Sequence, residues 1–545
     1  MKTTRIKIAI NRFAFLLLPV LLYGCIKEEF DPSKFNTSID LHSGLAIPVG
    51  FSHLGFEKYS SESPPRDELH IGKDGFLSLY YSAAIDSGVM GDMLSINDIN
   101  VNSSILNQTS SVIFLNIPGT TLDLTDSILI PITGAQVNAR IDSIKLMSGS
   151  LQLDISSANI TGTVTFHLNG LRQNGIPFST TRNLGNPDFT LPLENYTIIP
   201  EHDLSGNNLL KCNISIHLQS PSGPVDQGAP IMDIQTDLSS LRYETIYGDF
   251  SGYTIDFPAQ TMPTPFFNQL TGGQILFADP KLKFFFSNSV GVPFGISFSR
   301  IDAIDRNNVH HPLTGPGIPV AINPKVIRYP SLSQAEETIT DSLIIDKNNS
   351  NLPDFIAFSP DSIGIKASAV IVQPAPPATT FISHDSKYNI STALELPLRG
   401  MADFLILLDT MDFDYLNSIL PPPEEIEKLI VRTSITNSFP VTAYPQIYLL
   451  DGNSVLLDSL FIGNEKIEGA SDTNGDGIAD PHKQPPIDID LPRSKIYKLL
   501  NTRYLVAKGR IMTTDFPDQE VKLYSSYFLD YNVGLIAQLK IKTGK

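Results

Sequence analysis

Apolar residues recur at every second position through long stretches of this chain, and that period leaves few folds open. Leu151, Leu153 and Ile155 alternate with polar residues, as do Val164, Phe166 and Leu168, and then Ile487, Ile489 and Leu491. A period of two puts one set of side chains on the buried face of a pleated strand and the other in water, as half-buried antiparallel strands require. Helical spacing is scarce. Its best case is Glu424 to Arg432 behind Pro421-Pro422-Pro423, where proline suits a helix start, although the same residues can lead into a strand. Forty prolines and 36 glycines supply turns, and 41% hydrophobic against 18% charged residues is ample for buried cores. We therefore expect an all-β fold of tandem antiparallel β-sandwich domains with little helix.

Three segments share one layout: an apolar strand, a polar break containing Asn, a second strand, then a tight turn. They run from Leu151 through Asn159 to Asn174-Gly175, from Leu282 through Ser287-Asn288-Ser289 to Asn307-Asn308, and from Leu429 through Thr436-Asn437-Ser438 to Asp451-Gly452. Asn-Gly and Asp-Gly favour hairpins because both central positions accept positive φ. The starts lie about one domain apart, and 545 residues make three or four domains at roughly 100–200 residues each. The expected division is a leader over 1–24, a tether over 25–40, one or more β-domains over 41–252 and a β-sandwich over 253–372. A proline-rich linker over 373–385 (Gln373-Pro374-Ala375-Pro376-Pro377-Ala378) and a last β-sandwich over 386–545 complete it.

The first 24 residues read as an export signal. Lys2, Arg5, Lys7 and Arg12 precede an apolar run from Phe13 to Leu22, too short to span a hydrocarbon core that needs about 20 residues. Leu22-Tyr23-Gly24-Cys25 resembles a bacterial lipobox, with Tyr23 bulkier than the usual residue there. Ile26-Lys27-Glu28-Glu29-Phe30-Asp31 is similar to the lysine-then-acidic signal of surface-exposed Bacteroidota lipoproteins. The resemblance implies an acylated Cys25 as mature N-terminus, with its acyl chains (palmitate-class) in outer-membrane lipid and the body on the cell surface. The second and third repeats faintly resemble β-domains common in such lipoproteins, from which no activity carries over.

With Cys25 acylated, Cys212 has no partner and the chain forms no disulfide. Cys212 shares its strand face with Leu210, Ile214 and Ile216, which points to a buried, inert thiol. The acidic balance, 57 Asp and Glu against 39 Lys and Arg, argues against nucleic acid, whose phosphates call for basic stripes.

One loop carries metal-ligand spacing. Asp472-Thr473-Asn474-Gly475-Asp476-Gly477-Ile478-Ala479-Asp480 offers side-chain oxygens from Asp472, Asn474, Asp476 and Asp480 and a carbonyl from Ile478, with Gly477 at the sharp turn. It resembles the calcium loops of thrombospondin type 3 repeats and dockerins. It departs from an EF-hand at Lys483, which stands where the bidentate glutamate belongs, so Glu465 or Glu468 would have to complete the shell. A plain Asx-rich turn competes with it. If calcium binds, one site between strands is structural.

Catalytic signatures are missing: the sequence contains no His-Glu-x-x-His, Gly-x-Ser-x-Gly, Gly-x-x-x-x-Gly-Lys or Cys-x-x-Cys. His310-His311 reads as an exposed turn. Tyr80-Tyr81 and the run Tyr524 to Tyr531 are the aromatic candidates for stacking a glycan, against the simpler role of strand packing. Asp-Ser-aliphatic recurs at Ser127, Ser143, Ser342, Ser362 and Ser459, and resembles the O-glycosylation acceptor of Bacteroidota envelope proteins; such serines should stand exposed at strand entrances. These features favour a lipid-anchored surface binding or adhesion protein without catalytic activity, whose ligand is an extracellular glycan or protein. The alternatives are an accessory subunit of an outer-membrane assembly, and third a glycan-active hydrolase.

Overall fold

In the computed structural model the described residues are 39–55, 69–106, 121–135, 139–157, 161–219, 230–268, 270–375, 377–412, 420, 422–461 and 465–543. Cys25, the leader, Asn159 and residues 25–38 of the tether lie outside them. Strand makes up 63% and helix 7%, all strands pairing antiparallel, so the all-β expectation holds. Glu424 to Arg432 resolves in favour of strand: a short 3-10 turn, Pro423–Glu425, leads into Ile426–Asn437. Ile430, Val431, Thr433 and Ile435 are β-branched and pair along Phe528–Thr543, which an isolated helical turn has nothing to match.

The ladders repeat one plan three times. In an inner unit, one sheet runs in the order Ile99–Leu106, Pro230–Asp249, Arg140–Ser157, Phe189–Pro192. Its second sheet runs Thr121–Pro131, Asn208–Gln219, Thr161–Gln173, Ile176–Asn183. A middle unit repeats the first sheet with Leu77–Val89, Lys387–Pro397, Lys281–Asn288 and Ile339–Asp346. Its second sheet has Thr254–Asp256 and Gln260–Pro263, then Ser362–Ile371, Phe294–Ile304 and His310–Pro312. An outer unit follows with Ile39–Gly55, Phe528–Thr543, Ile426–Asn437 and Ile487–Leu491. Opposite stand Arg399–Asp412, Tyr504–Thr513, Val441–Leu450 and Leu456–Ser459.

The two sheets of each unit face one another across side chains. Phe166 meets Phe189 at 5.7 Å in the inner unit, and Phe284 meets Phe298 at 4.4 Å in the middle one. In the outer unit Leu429, Leu449 and Leu535 share one buried cluster. Strand Tyr196–Ile198 pairs with both halves of the inner unit and joins them into one 11-stranded sheet.

The bodies of the units follow one another in the chain, but their lead strands are nested. Ile39–Gly55 belongs to the outer unit, Leu77–Val89 to the middle and Ile99–Leu106 to the inner one. Each unit is thus inserted between the first and second strands of the next. Hydrogen bonding therefore crosses the limits at 252/253 and 385/386, because each lead strand completes a sheet whose other members come far later. Two further strands cross between units: Leu270–Phe277 extends the outer unit's second sheet, and Phe381–Ser383 pairs with Thr245–Tyr247 of the inner unit.

The polar breaks are equivalent in space. Asn288 and Asn437 are both buried, and their Oδ1 atoms accept the backbone N–H of Val290 (2.8 Å) and Phe439 (2.9 Å). The serine that follows clasps the returning strand, with Ser289 N–H bonded to Lys387 O and Ser438 N–H to Phe528 O, each at 2.9 Å. Asp203, Asp305 and Asp451 open matching turns whose carboxylates accept two later N–H groups. Asn174-Gly175 forms the expected hairpin with both φ positive. Asp451-Gly452 does not: the left-handed residue there is Ser454, because the Asp451 carboxylate organises a longer loop.

Candidate ligand cavity in the outer unit

A cavity of about 960 Å³ opens in the outer unit beside the crossing strand Leu270–Phe277. Two transverse rows of side chains on neighbouring strands form its floor. Ile275, Ala402, Thr513 and Val441 lie in one row, and Phe404, Ile511, Ala443 and Ile467 in the next. Gly273 faces Phe404 across the ladder at φ 100°; a Cβ there would sit 2.2 Å from the Asp403 carbonyl oxygen, so only glycine permits this approach. Phe439 and Leu529 come from the facing side, and Leu69, Ile71, Leu79, Leu398 and Leu523 close the wall toward the middle unit.

The repeat explains why space remains here. Val372 N–H bonds to Pro293 O and Thr514 N–H to Pro440 O, each at 3.0 Å, which sets the two units in register. Val441 then stands where the middle unit has Phe294 and Thr513 where it has Ile371, while the pair Ala443 and Ile511 stands where it has Ile296 and Ala369, the two sizes exchanged. Leu529 faces Asn437 as Tyr388 faces Asn288. Phe294, Ile371 and Tyr388 are all buried and fill their sandwich. Val441, Thr513 and Leu529 are smaller, and that shortfall adjoins the cavity.

The wall is chemically quiet. Asn437 Nδ2 donates to Val441 O (3.1 Å) and Glu468 O (2.9 Å), and Thr513 Oγ1 accepts Ala402 N–H at 3.2 Å. Arg399 Nε donates to Glu520 at 2.9 Å. None of the buried side-chain polar atoms without a partner, among the described residues, belongs to the lining. A chamber lined in this way is mostly apolar, with few buried polar side chains facing it.

The loop of Asp472, Asn474, Asp476, Ile478 and Asp480 holds itself together. Asp472 accepts Gly475 N–H at 2.6 Å and Gly477 N–H at 2.8 Å, Asn474 accepts Asp476 N–H at 2.9 Å, and Asp476 accepts Ile478 N–H at 2.8 Å. Asp480 accepts Thr473 N–H at 3.0 Å, and the Tyr527 hydroxyl accepts Ala479 N–H at 2.8 Å. Its oxygens suit calcium by type. As placed, however, no three His, Cys, Asp or Glu among the described residues gather into a group that holds a metal ion. Glu468, expected as a further ligand, is instead paired with Lys466 (3.0 Å) and His482 (3.2 Å).

The five Asp-Ser-aliphatic serines occupy different settings. Ser127 and Ser342 are exposed, while Ser143, Ser362 and Ser459 are half-buried. Only Ser362 opens a strand; at 127, 143 and 342 the aliphatic residue continues a ladder already begun, and Ser459 ends its strand. At 127, 342 and 459 the preceding aspartate accepts the serine's own N–H.

The remaining candidates lie in packed or paired settings. Burial pushes the Cys212 thiol up to about 12. His310 pairs with Asp302 at 3.0 Å, and His311 stacks on Phe358 at 3.8 Å. Tyr81 is buried in the core, and Tyr524 and Tyr527 pack with Phe76 and Phe439. No helix among the described residues is long and apolar enough to cross a membrane, which says nothing of strands.

No protein-family model and no curated protein matches the chain. Among solved structures, a protein described as secreted, from Parabacteroides distasonis, aligns over 92% of this chain and 100% of its own at 10% identity and a TM-score of 0.26. A structure of infectious bursal disease virus, Gx strain, covers 83% of this chain and 82% of its own at 10% identity and a TM-score of 0.14. Likenesses that weak carry no argument about fold or function.

Proposed function

We propose that this chain is a cell-surface binding protein without catalytic activity, anchored in outer-membrane lipid through Cys25, that takes an apolar ligand into the outer unit. The carrying observation is the cavity of about 960 Å³, mostly apolar, with its buried Asn437 and Thr513 side chains already hydrogen-bonded. Its position suits that role. Ile39, where the tether joins the sheet, pairs with Thr543, whereas Leu54 pairs with Leu529 beside the cavity. About fifteen residues of strand separate them, roughly 50 Å at ~3.3 Å each, which holds the site away from the anchored end. In this reading the loop from Asp472 to Asp480 takes a structural calcium ion, and Ser127 and Ser342 are the serines best placed for O-glycosylation.

A second reading, an accessory subunit that accepts a partner's strand, is favoured by one observation. Ile39–Gly55 pairs on one side only among the described residues, and Phe51 and Leu54 stand exposed beside that edge.

The test uses the mature chain with Cys25→Ser and the apolar dye anilinonaphthalene sulfonate. Wild type should bind it saturably at one site. The double substitution Val441→Phe with Ala443→Ile adds bulk to the floor and should abolish binding while the circular dichroism stays that of the wild type. Equal dye binding by both proteins, or none by the wild type, overturns the reading.

A further inference from the structure

We infer that the outer unit's cavity takes an unbranched acyl chain, an inference that rests on the binding reading above. The floor crosses five neighbouring backbones, from the strand of Ile275 through those of Ala402, Ile511 and Ala443 to Ile467. At ~4.8 Å between strands that is a length of roughly 19 Å. Its width is set by residues two apart on one strand, Ala402 and Phe404 or Val441 and Ala443, which is about 7 Å. The space is therefore a trough across the strands. Neighbouring strands rotate by roughly 20–25° each, so the trough turns by about 80–100° along its length. A freely rotating hydrocarbon follows that turn, whereas a rigid plate of fused rings does not. The buried polar side chains of the wall, Asn437 and Thr513, are already engaged, so the polar end is placed beside the exposed lining residues His70 and Arg399.

Displacement of the bound dye tests this with three probes: palmitate, lysophosphatidylcholine and cholesterol hemisuccinate. Palmitate, lysophosphatidylcholine or both should displace it, and which of them does so distinguishes a free fatty acid from a membrane-derived lipid. Among shorter fatty acids, affinity should rise about fourfold per added methylene until the trough is full. In titration calorimetry, which needs no dye, the variant carrying Val441→Phe and Ala443→Ile should bind neither palmitate nor lysophosphatidylcholine while its circular dichroism stays that of the wild type. Displacement by the sterol alone, or affinity independent of chain length, overturns the acyl-chain inference and leaves the binding reading intact. Failure of the dye itself to bind overturns both.

Discussion

Asn437→Ala should destabilise the outer unit by about 3 kcal/mol, and more than Asn288→Ala destabilises the middle one. Asn437 is 3% exposed and makes three hydrogen bonds: Nδ2 to Val441 O and Glu468 O, and Oδ1 from Phe439 N–H. Truncation strands two carbonyls and one N–H, and each buried group left without a partner costs about 1–3 kcal/mol. The lower end applies because the new space adjoins the cavity, where water can reach it. Asn288 makes two such bonds, to Arg328 O at the longer distance of 3.3 Å and from Val290 N–H, so about 2 kcal/mol is expected. Asn437→Asp keeps the acceptor for Phe439, loses both donors and adds a buried charge, so it should cost at least as much as alanine at neutral pH. Three units need not melt together, so native-state hydrogen exchange is the suitable assay, following 426–437 and 528–543 against 161–173 as an internal reference. A loss below about 0.5 kcal/mol in the outer strands, or an equal loss in the inner unit, would refute the claim that this side chain clasps one sandwich.

Two further outcomes follow from the surface of the same unit. Arg510 donates to both carboxylate oxygens of Asp403 (2.7 and 2.6 Å), and these bonds hold the Asp403 carboxyl below the usual carboxylate range. The folded value is depressed, so the stabilisation is present above the ordinary value of 3.8 and lost as pH falls through the folded one. Asp403→Asn should accordingly lower the outer unit's melting temperature at pH 7 and match the wild type in strong acid; a deficit that persists in acid contradicts this. Calorimetry on the mature chain should show calcium binding that Asp476→Ala removes, with a rise in melting temperature for the wild type only; absence of heat reduces the loop to the Asx-rich turn that its own hydrogen bonds already describe.

Local chemistry was readable from the chain, and partnership was not. Alternation placed Leu151, Leu153 and Ile155 on a buried face, and the Asn-Ser breaks at 288 and 437 proved to be equivalent clasps. Those features act through neighbours in sequence or through a polar atom that must be satisfied wherever it is buried. A period of two, however, states which face of a strand is wet and nothing about which strand lies beside it. Ile39–Gly55 therefore gave no sign that its partner is Phe528–Thr543. The cavity was hidden for a related reason. Val441, Thr513 and Leu529 are unremarkable apolar or small residues, and their shortfall shows only against Phe294, Ile371 and Tyr388 in the register that the two ladders share.

Nesting ties the site to the integrity of the whole chain. The inner unit's strands lie within 99–249, and its longest ladder joins segments of that one stretch. The outer unit must instead bring Ile39–Gly55 to Phe528–Thr543 across nearly the full chain. For a flexible loop the closure cost rises only with the logarithm of length, but such non-local pairing is slow. Folding the inner and middle units first brings the ends of the intervening chain together, which turns a very long loop into a short effective one. The cavity wall draws on Leu69 and Ile71 before the inner unit, on Ile275 and Phe277 from the middle unit's stretch, and on residues beyond 398. Those segments meet at little further loop cost once the units inserted between them have formed.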